Sequence, residues 1–503
     1  MLPWVATAQD TGSAVDPRGV KLPQIQVIAT TPVAPPARTA PARPSSRAVA
    51  APAAPAPSEA TFAKPIPGAV EQDKIPSNVQ TAGAPDFSYT VAPDLLQSMV
   101  RALPGVSLGS QTGNEFQPDL NYRGFTASPV IGTPQGLAVY QNGARINEVF
   151  GDVVNWDLIP QNAINQLTLY PSNPVFGLNA TGGALSFQMK NGFTYHGVNA
   201  EVSSGSYGRV GTTVEAGGEV GNFSGYFTAD AINDAGWRID SPSSLRRMYA
   251  DLGARGDQTE FHVTFTGADN IFNGTAATPV QMLNQNWSSI FTNPQTTHNQ
   301  LAFLTGSAAW KPSDTWTFQA IAYFRHFSQS HVDGNDTNAS NDTGDCSGTA
   351  VPTALCFQNL QGPPFSTLTT TRGGAFPNNT IPNTGFLGSP NILGELDRTW
   401  TTTNSFGGSV QAASTEKVFG LPNNFTIGLS VDRGLVQFAS TSELGTVNAN
   451  QFPAVVGSGL FIDQPSGDVA PVGLGAHTLY AGVYVTDMIR GSIAVTPTLT
   501  SIP

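Results

Sequence analysis

The sequence predicts a mixed fold: a small α/β domain followed by an antiparallel transmembrane β-barrel that is incomplete. Three observations predict it. Charged residues make up 12% of the 503-residue chain, about half the ~25% usual in soluble domains, while Gly reaches 52. Hydrophobic residues are 40%, spread so thinly that no run approaches the ~20 apolar residues of a spanning helix. From about residue 195 onward, alternating segments are joined by short polar turns and by much longer loops.

Taken in chain order, Val5-Ala6-Thr7-Ala8-Gln9-Asp10 has the small-x-small pattern of a signal-peptide cleavage site, so residues 1–8 read as a signal remnant. Residues 9–85 read as an unfolded tail. Pro32 to Pro57 is almost all Pro, Ala, Arg and Ser, which gives an extended linker rather than a core. Before it, Gln24 to Thr30 (QIQVIAT) is a lone β-prone stretch suited to binding by strand addition.

Residues 86–192 read as one α/β unit. Asp94 to Leu103 has helical apolar spacing after Pro93, and Pro104-Gly105 stops it. Short strands follow at 120–123, 136–140 and 166–170, separated by Gly and Asn turns.

Alternating strands are then expected at 198–203, 211–216, 225–231, 248–253 and 261–266. Later ones lie near 299–310, 315–326, 400–413, 424–437 and 477–489, with a last one beginning near Ser492. That makes ten or eleven strands. Three connections are long, at 272–298, 327–398 and 439–475. A soluble sandwich or propeller would space its strands and loops more evenly.

Composition also excludes functions. A net charge of −12 argues against nucleic acid. The six His are scattered, no catalytic constellation or metal spacing is present, and the chain reads as neither an enzyme nor a cofactor protein. The Asp/Asn-rich stretch 333–345 lacks the spaced Glu of a calcium loop and reads as a solvated outer loop. Cys346 and Cys356 lie in one polar segment, where a local disulfide made outside the cytoplasm is favoured over two free thiols.

Between residues 95 and 190 the sequence resembles the plug of a TonB-dependent outer-membrane receptor. The resemblance rests on pieces in order. Leu103-Pro104-Gly105-Val106 follows the helix. Tyr122-Arg123-Gly124-Phe125 matches the family's RG element. Val139-Tyr140-Gln141-Asn142-Gly143-Ala144-Arg145-Ile146-Asn147 matches V-x-x-D-G-x-R-x-N, with Asn142 where Asp is usual; both suit a turn before Gly. Ile164 to Ser172 matches more weakly, with Asn165 and Thr168 at the usual Glu positions. Phe176-Gly177 and Ala180-Thr181-Gly182-Gly183-Ala184 are close to YG-x-x-A-x-G-G.

The resemblance implies a plug at 86–192 inside a barrel of about 22 strands, of which 193–503 supplies about half. Most plug glycines have a structural role in turns and close packing. Arg123 and Arg145 are expected to hold the plug to carboxylates of the barrel wall. Ile25, Gln26, Val27, Ile28, Ala29 and Thr30 become the candidate TonB box. The implied partners are TonB, outer-membrane lipid and a small-molecule nutrient of unknown identity, and the implied place is the outer membrane of a Gram-negative bacterium with the tail in the periplasm. The expected function is active uptake of an iron-siderophore-like or other bulky nutrient. A truncated, non-functional receptor fragment and a passive surface-binding or adhesion protein remain the alternatives.

Overall fold

The computed structural model describes residues 78–89, 94–171, 176–177, 180–274, 277–340, 343–358, 365–376, 393–448, 454–463 and 471–489. The candidate TonB box at 24–30, the Pro-rich linker and the strand expected from Ser492 lie outside the described residues.

The first sheet runs in the order β1 (Gln80–Gly83), β7 (Ile164–Tyr170), β8 (Gly183–Met189), β5 (Leu137–Gln141) and β6 (Ala144–Arg145). Only β5 and β8 are parallel. A second small sheet joins β2 (Val106–Gly109), β3 (Asp119–Tyr122) and β4 (Phe125–Ala127). The helix α1 (Leu95–Ala102) starts at Asp94, whose carboxylate accepts the Gln97 N–H at 2.8 Å. It buries Leu95, Leu96 and Met99 against the sheet. β5 is buried at every position, so its two faces both read apolar, as a central strand should.

One boundary differs from expectation. The tail was expected to reach residue 85, yet Gln80–Gly83 pairs along the edge of β7, Gln80 opposite Leu169 and Gly83 opposite Gln166. This Gln-Thr-Ala-Gly stretch has no apolar alternation. It is a strand because a neighbouring edge offers backbone partners, a tertiary cause that local propensity does not report.

The second part is one antiparallel sheet built from hairpins in chain order. It contains β9 (Gly197–Ser204), β10 (Val210–Val220), β11 (Phe223–Asp234), β12 (Ser243–Arg255), β13 (Thr259–Asn273), β14 (Gln295–Trp310) and β15 (Trp316–Asp336). After a long excursion come β19 (Leu393–Ser414), β20 (Asn423–Asn448), β21 (Ala454–Phe461) and β22 (Val472–Ile489). β22 pairs with the first part of β20 and β21 with its last part, so ten strands run the height of the sheet. Among the described residues, nothing pairs with the outer edges of β9 or β22.

Burial along these strands is inverted relative to a soluble sheet. In β11 and β12, Ser224, Tyr226, Thr228, Asp230, Arg247 and Asp251 are buried toward the plug. Phe223, Phe227, Met248 and Leu252 point outward, Phe223 70% and Leu252 69% exposed. β13 continues this, with Phe261 and Val263 outside and Thr264 and Thr266 inside. A continuous apolar exterior over a polar interior is what a lipid solvent selects.

The stretch 333–345 is expected as a solvated outer loop, but Asp333 to Asp336 belong to β15, and a long excursion follows before β19. Its described parts form a small sheet of β16 (Ala339–Ser340), β17 (Cys356–Gln358) and β18 (Phe365–Thr367). Cys346 and Cys356 are joined by a disulfide. Leu355, Phe357, Leu368 and Phe376 pack with Leu444 of β20 and Ile462 beyond β21. Scattered apolar residues in a Ser/Thr/Gly-rich stretch gave no period to detect, but together they fill one core.

Candidate functional site

The candidate site is the boundary between the α/β plug and the inner face of the sheet. Apolar contact contributes: Tyr226, Tyr249, Phe303 and Phe327 of the wall join the plug core. Most named contacts, however, are polar, and they run from the long-loop end to the short-turn end.

At the long-loop end, Asn114 donates to the Ser243 hydroxyl and to the Asn273 carbonyl, both at 2.9 Å. Glu115 pairs with Arg209 at 2.7 Å. Below them, the buried Asp157 carboxylate accepts from Asn270 at 2.8 Å, from Asn299 at 3.2 Å and from Gln117. Arg247 pairs with Asp230 of the wall at 2.7 Å. It also donates to the plug carbonyls of Asp157 (3.3 Å) and Ile159 (3.2 Å) and to Tyr89 Oη (3.0 Å). Burial pushes the Asp157 carboxyl up to about 6, although Asn270, Asn299 and Arg247 pull the other way.

Farther round the wall, Glu148 meets Arg325 in a two-pronged pair, each contact 2.6 Å. Both side chains are nearly shut off from water, at 2% and 5% exposure. The next two plug residues press on β20. A Cβ on Gly434 would lie 2.4 Å from the Val149 methyls. The Phe150 and Phe438 rings sit 5.0 Å apart. Toward the short turns, Gln141 donates to Thr266 at 2.7 Å, Asn162 to Thr228, and Lys190 pairs with Glu215 at 2.6 Å. A gap of ≈ 210 Å³ remains between Arg145, Glu148 and Asp152 of the plug and Tyr323, Asp432 and Tyr480 of the wall.

The motif residues fall mostly on the plug's own turns. Asn142 and Gly143 have φ of 48° and 84° and close the β5–β6 hairpin. Asn-Gly is the pair such a tight turn favours, since both residues must be left-handed. Asn142 does more: it accepts the Met189 N–H at 2.9 Å and donates to Tyr249 Oη of the wall at 3.0 Å. Gly182 cannot carry a side chain, because its Cβ would lie 2.2 Å from the Phe125 ring. Gly183, next to it, opens β8. Pro104 accepts from Gln80 at 3.1 Å, Gly105 follows α1 beside Tyr122, and Gly177 lies in the segment before β8.

The two arginines do not act as expected. Arg145 pairs with Asp152 of the plug itself. Arg123, with Gly124, forms the tip of the β3–β4 turn, is exposed, and lies over the Tyr122 ring at 5.1 Å. Two ion pairs across the boundary have the reverse polarity, Glu115 and Glu148 of the plug meeting Arg209 and Arg325 of the wall, and the plug cation that does meet a wall carboxylate is Lys190, on Glu215. The missed signal was a charge in the inward phase of a strand. Arg247 lies two residues from Tyr249, and Arg325 lies midway between Tyr323 and Phe327.

Residues 71–184 match a family model described as the TonB-dependent Receptor Plug Domain. Solved structures share the fold at low identity. The unliganded ferric citrate transporter FecA aligns over 83% of this chain and 54% of its own, with 10% identity and a TM-score of 0.56. FpvA of P. aeruginosa, bound to a heterologous ferric pyoverdine, aligns over 84% and 50%, with 11% identity and a TM-score of 0.54. BauA, the ferric preacinetobactin receptor of Acinetobacter baumannii, aligns over 84% and 56%, with 10% identity and a TM-score of 0.52. The chain thus spans about half the length of these structures. No curated protein matches the sequence.

Proposed function

We propose, for a chain that carries the plug and surrounding wall of a TonB-dependent receptor, that it serves gated, energy-driven import across the outer membrane of a Gram-negative bacterium. The observation that carries this reading is how the plug is seated. Its boundary is held by hydrogen bonds and ion pairs that water can replace, each neutral bond contributing only ~0.5–1.5 kcal/mol net. A plug held this way stays closed at rest and can still be displaced by a pull. The tail sequence Ile25 to Thr30 is β-prone, and the coupling protein TonB would grip it by strand addition. The ferric cargo of the relatives supports an iron chelate as substrate class.

The test is energised uptake of ferric chelates by cells carrying the full-length gene, with and without residues 24–30. Uptake is expected to vanish in the deletion while the protein still accumulates in the outer membrane. Unchanged uptake would remove the coupling role of that segment.

A further inference from the structure

We infer that cargo passes the plug along one flank only, between the β5–β6 hairpin and strands β15, β19, β20 and β22, through a passage that takes neutral or cationic polar solutes. The inference rests on the import reading and deepens it, by assigning the route and the charge it admits.

The plug is fastened unevenly. The hydrogen bonds and ion pairs named above between plug and wall fall on Arg209 and on β10 to β15. On that flank Tyr226, Tyr249 and Phe303 also fill inward positions and join the plug core. On β19, β20 and β22, strand register sets small residues there instead. Ser409, Ser430 and Gly482 lie opposite one another in one row, and Ser405, Gly434 and Thr478 in a row nearer the long loops. The named contacts of this flank with the plug are apolar, Val149 against Gly434 and Phe150 against Phe438.

Short side chains leave room. Besides the gap of ≈ 210 Å³ beside Glu148, a second of ≈ 290 Å³ lies nearer the short turns. It is lined by Tyr140, Gly143 and Gly177 of the plug and by Ser409, Ser430 and Tyr484 of the wall. The two gaps share Arg145, Tyr323, Asp432 and Tyr480, so they are successive chambers of one path that meet at a neck. Arg145 pairs with Asp152 inside the plug, and Tyr323 donates to Asp432 at 2.6 Å inside the wall. Each half of the neck thus keeps these partners when the halves separate. The buried Arg145 Nε has no partner among the described residues, which leaves one donor for the oxygen of a passing solute.

Charge at the neck selects what enters. Arg145 with Asp152, and Glu148 with Arg325, cancel in pairs. Arg433 turns outward, over the Phe406 ring at 5.8 Å. The Asp432 carboxylate therefore sets the sign, and a narrow polar passage of negative sign disfavours anions.

The test uses Ser430→Cys in the full-length receptor, already folded in the outer membrane. Its introduced thiol is modified in energised cells with methanethiosulfonates of increasing size, and the adduct is confirmed by mass. The probes are a cationic ferric trihydroxamate and an anionic ferric tricatecholate. Uptake of the cationic chelate is expected to fall several-fold with the bulkiest adduct, to change little with the smallest, and to return with reductant. Thr305→Cys, inward on β14 of the fastened flank, should show no such dependence on size. Should Ser430→Cys fail to accumulate, Ser409→Cys lines the same chamber. Full uptake under the bulkiest adduct, or a thiol that stays unreactive during uptake, overturns the route and leaves import standing. Faster uptake of the anionic chelate overturns the charge assignment. Import of neither chelate by the unmodified receptor removes the ferric-chelate reading on which the route rests.

Discussion

Glu148 and Arg325 show what a single residue contributes at the plug boundary. Each is buried, and both carboxylate oxygens of Glu148 accept from the two Nη atoms of Arg325. Arg325→Ala leaves a carboxylate uncompensated, at a cost of about 3–5 kcal/mol, whereas removing both charges together costs much less. Hydrogen exchange over residues 145–158 should therefore quicken strongly in Arg325→Ala and recover in Glu148→Gln combined with Arg325→Met; equal protection in wild type and Arg325→Ala would deny the pair its role. Asp157 acts with pH. Its docked value of about 6 lies above its ordinary 3.8, so docking favours the protonated form. The stabilisation is complete below about pH 4 and is lost as pH rises through 6, at roughly 1.4 kcal/mol per pH unit crossed. The plug should be better protected at pH 4.5 than at pH 6.5, and Asp157→Asn should shrink that difference; an undiminished difference would place the titration elsewhere. Neither residue was legible in the sequence as a wall contact, because pairing across a boundary has no local spacing. Asn142-Gly143 was legible, since a turn writes its requirement into two adjacent residues.

At the scale of elements, strands with one apolar and one polar face were readable from alternation alone. β10 to β15 fall on the expected segments and extend them at their ends. β1 was not readable, because an edge strand borrows its order from β7. The disulfide-bearing excursion was readable only as two cysteines. The contact of Val149 with Gly434 offers a mechanical test of the plug. Cysteines at both positions should oxidise to a cross-link that pins the 148–152 loop to β20. Uptake by the full-length receptor should stop on oxidation and return with reductant. Continued uptake by the cross-linked form would mean that this loop stays put during transport.

At the scale of the molecule, the fold class was visible before any coordinates, because a lipid solvent inverts the ordinary burial pattern and depletes charge throughout the chain. The seating of one domain in the other was not visible, since it depends on surfaces brought together from residues distant in the sequence, 177 positions apart for Glu148 and Arg325. Strand length has a further consequence. β20 has 26 residues, which at ~3.3 Å each and a tilt near 45° rise about 60 Å along the membrane normal. The apolar band needs only about 25 Å of that. The remainder is scaffolding, and the disulfide-held cap sits on it, braced by Leu444 and Ile462. Held at the far end of β20, the cap is thus a masthead that stands beyond the apolar band rather than within it.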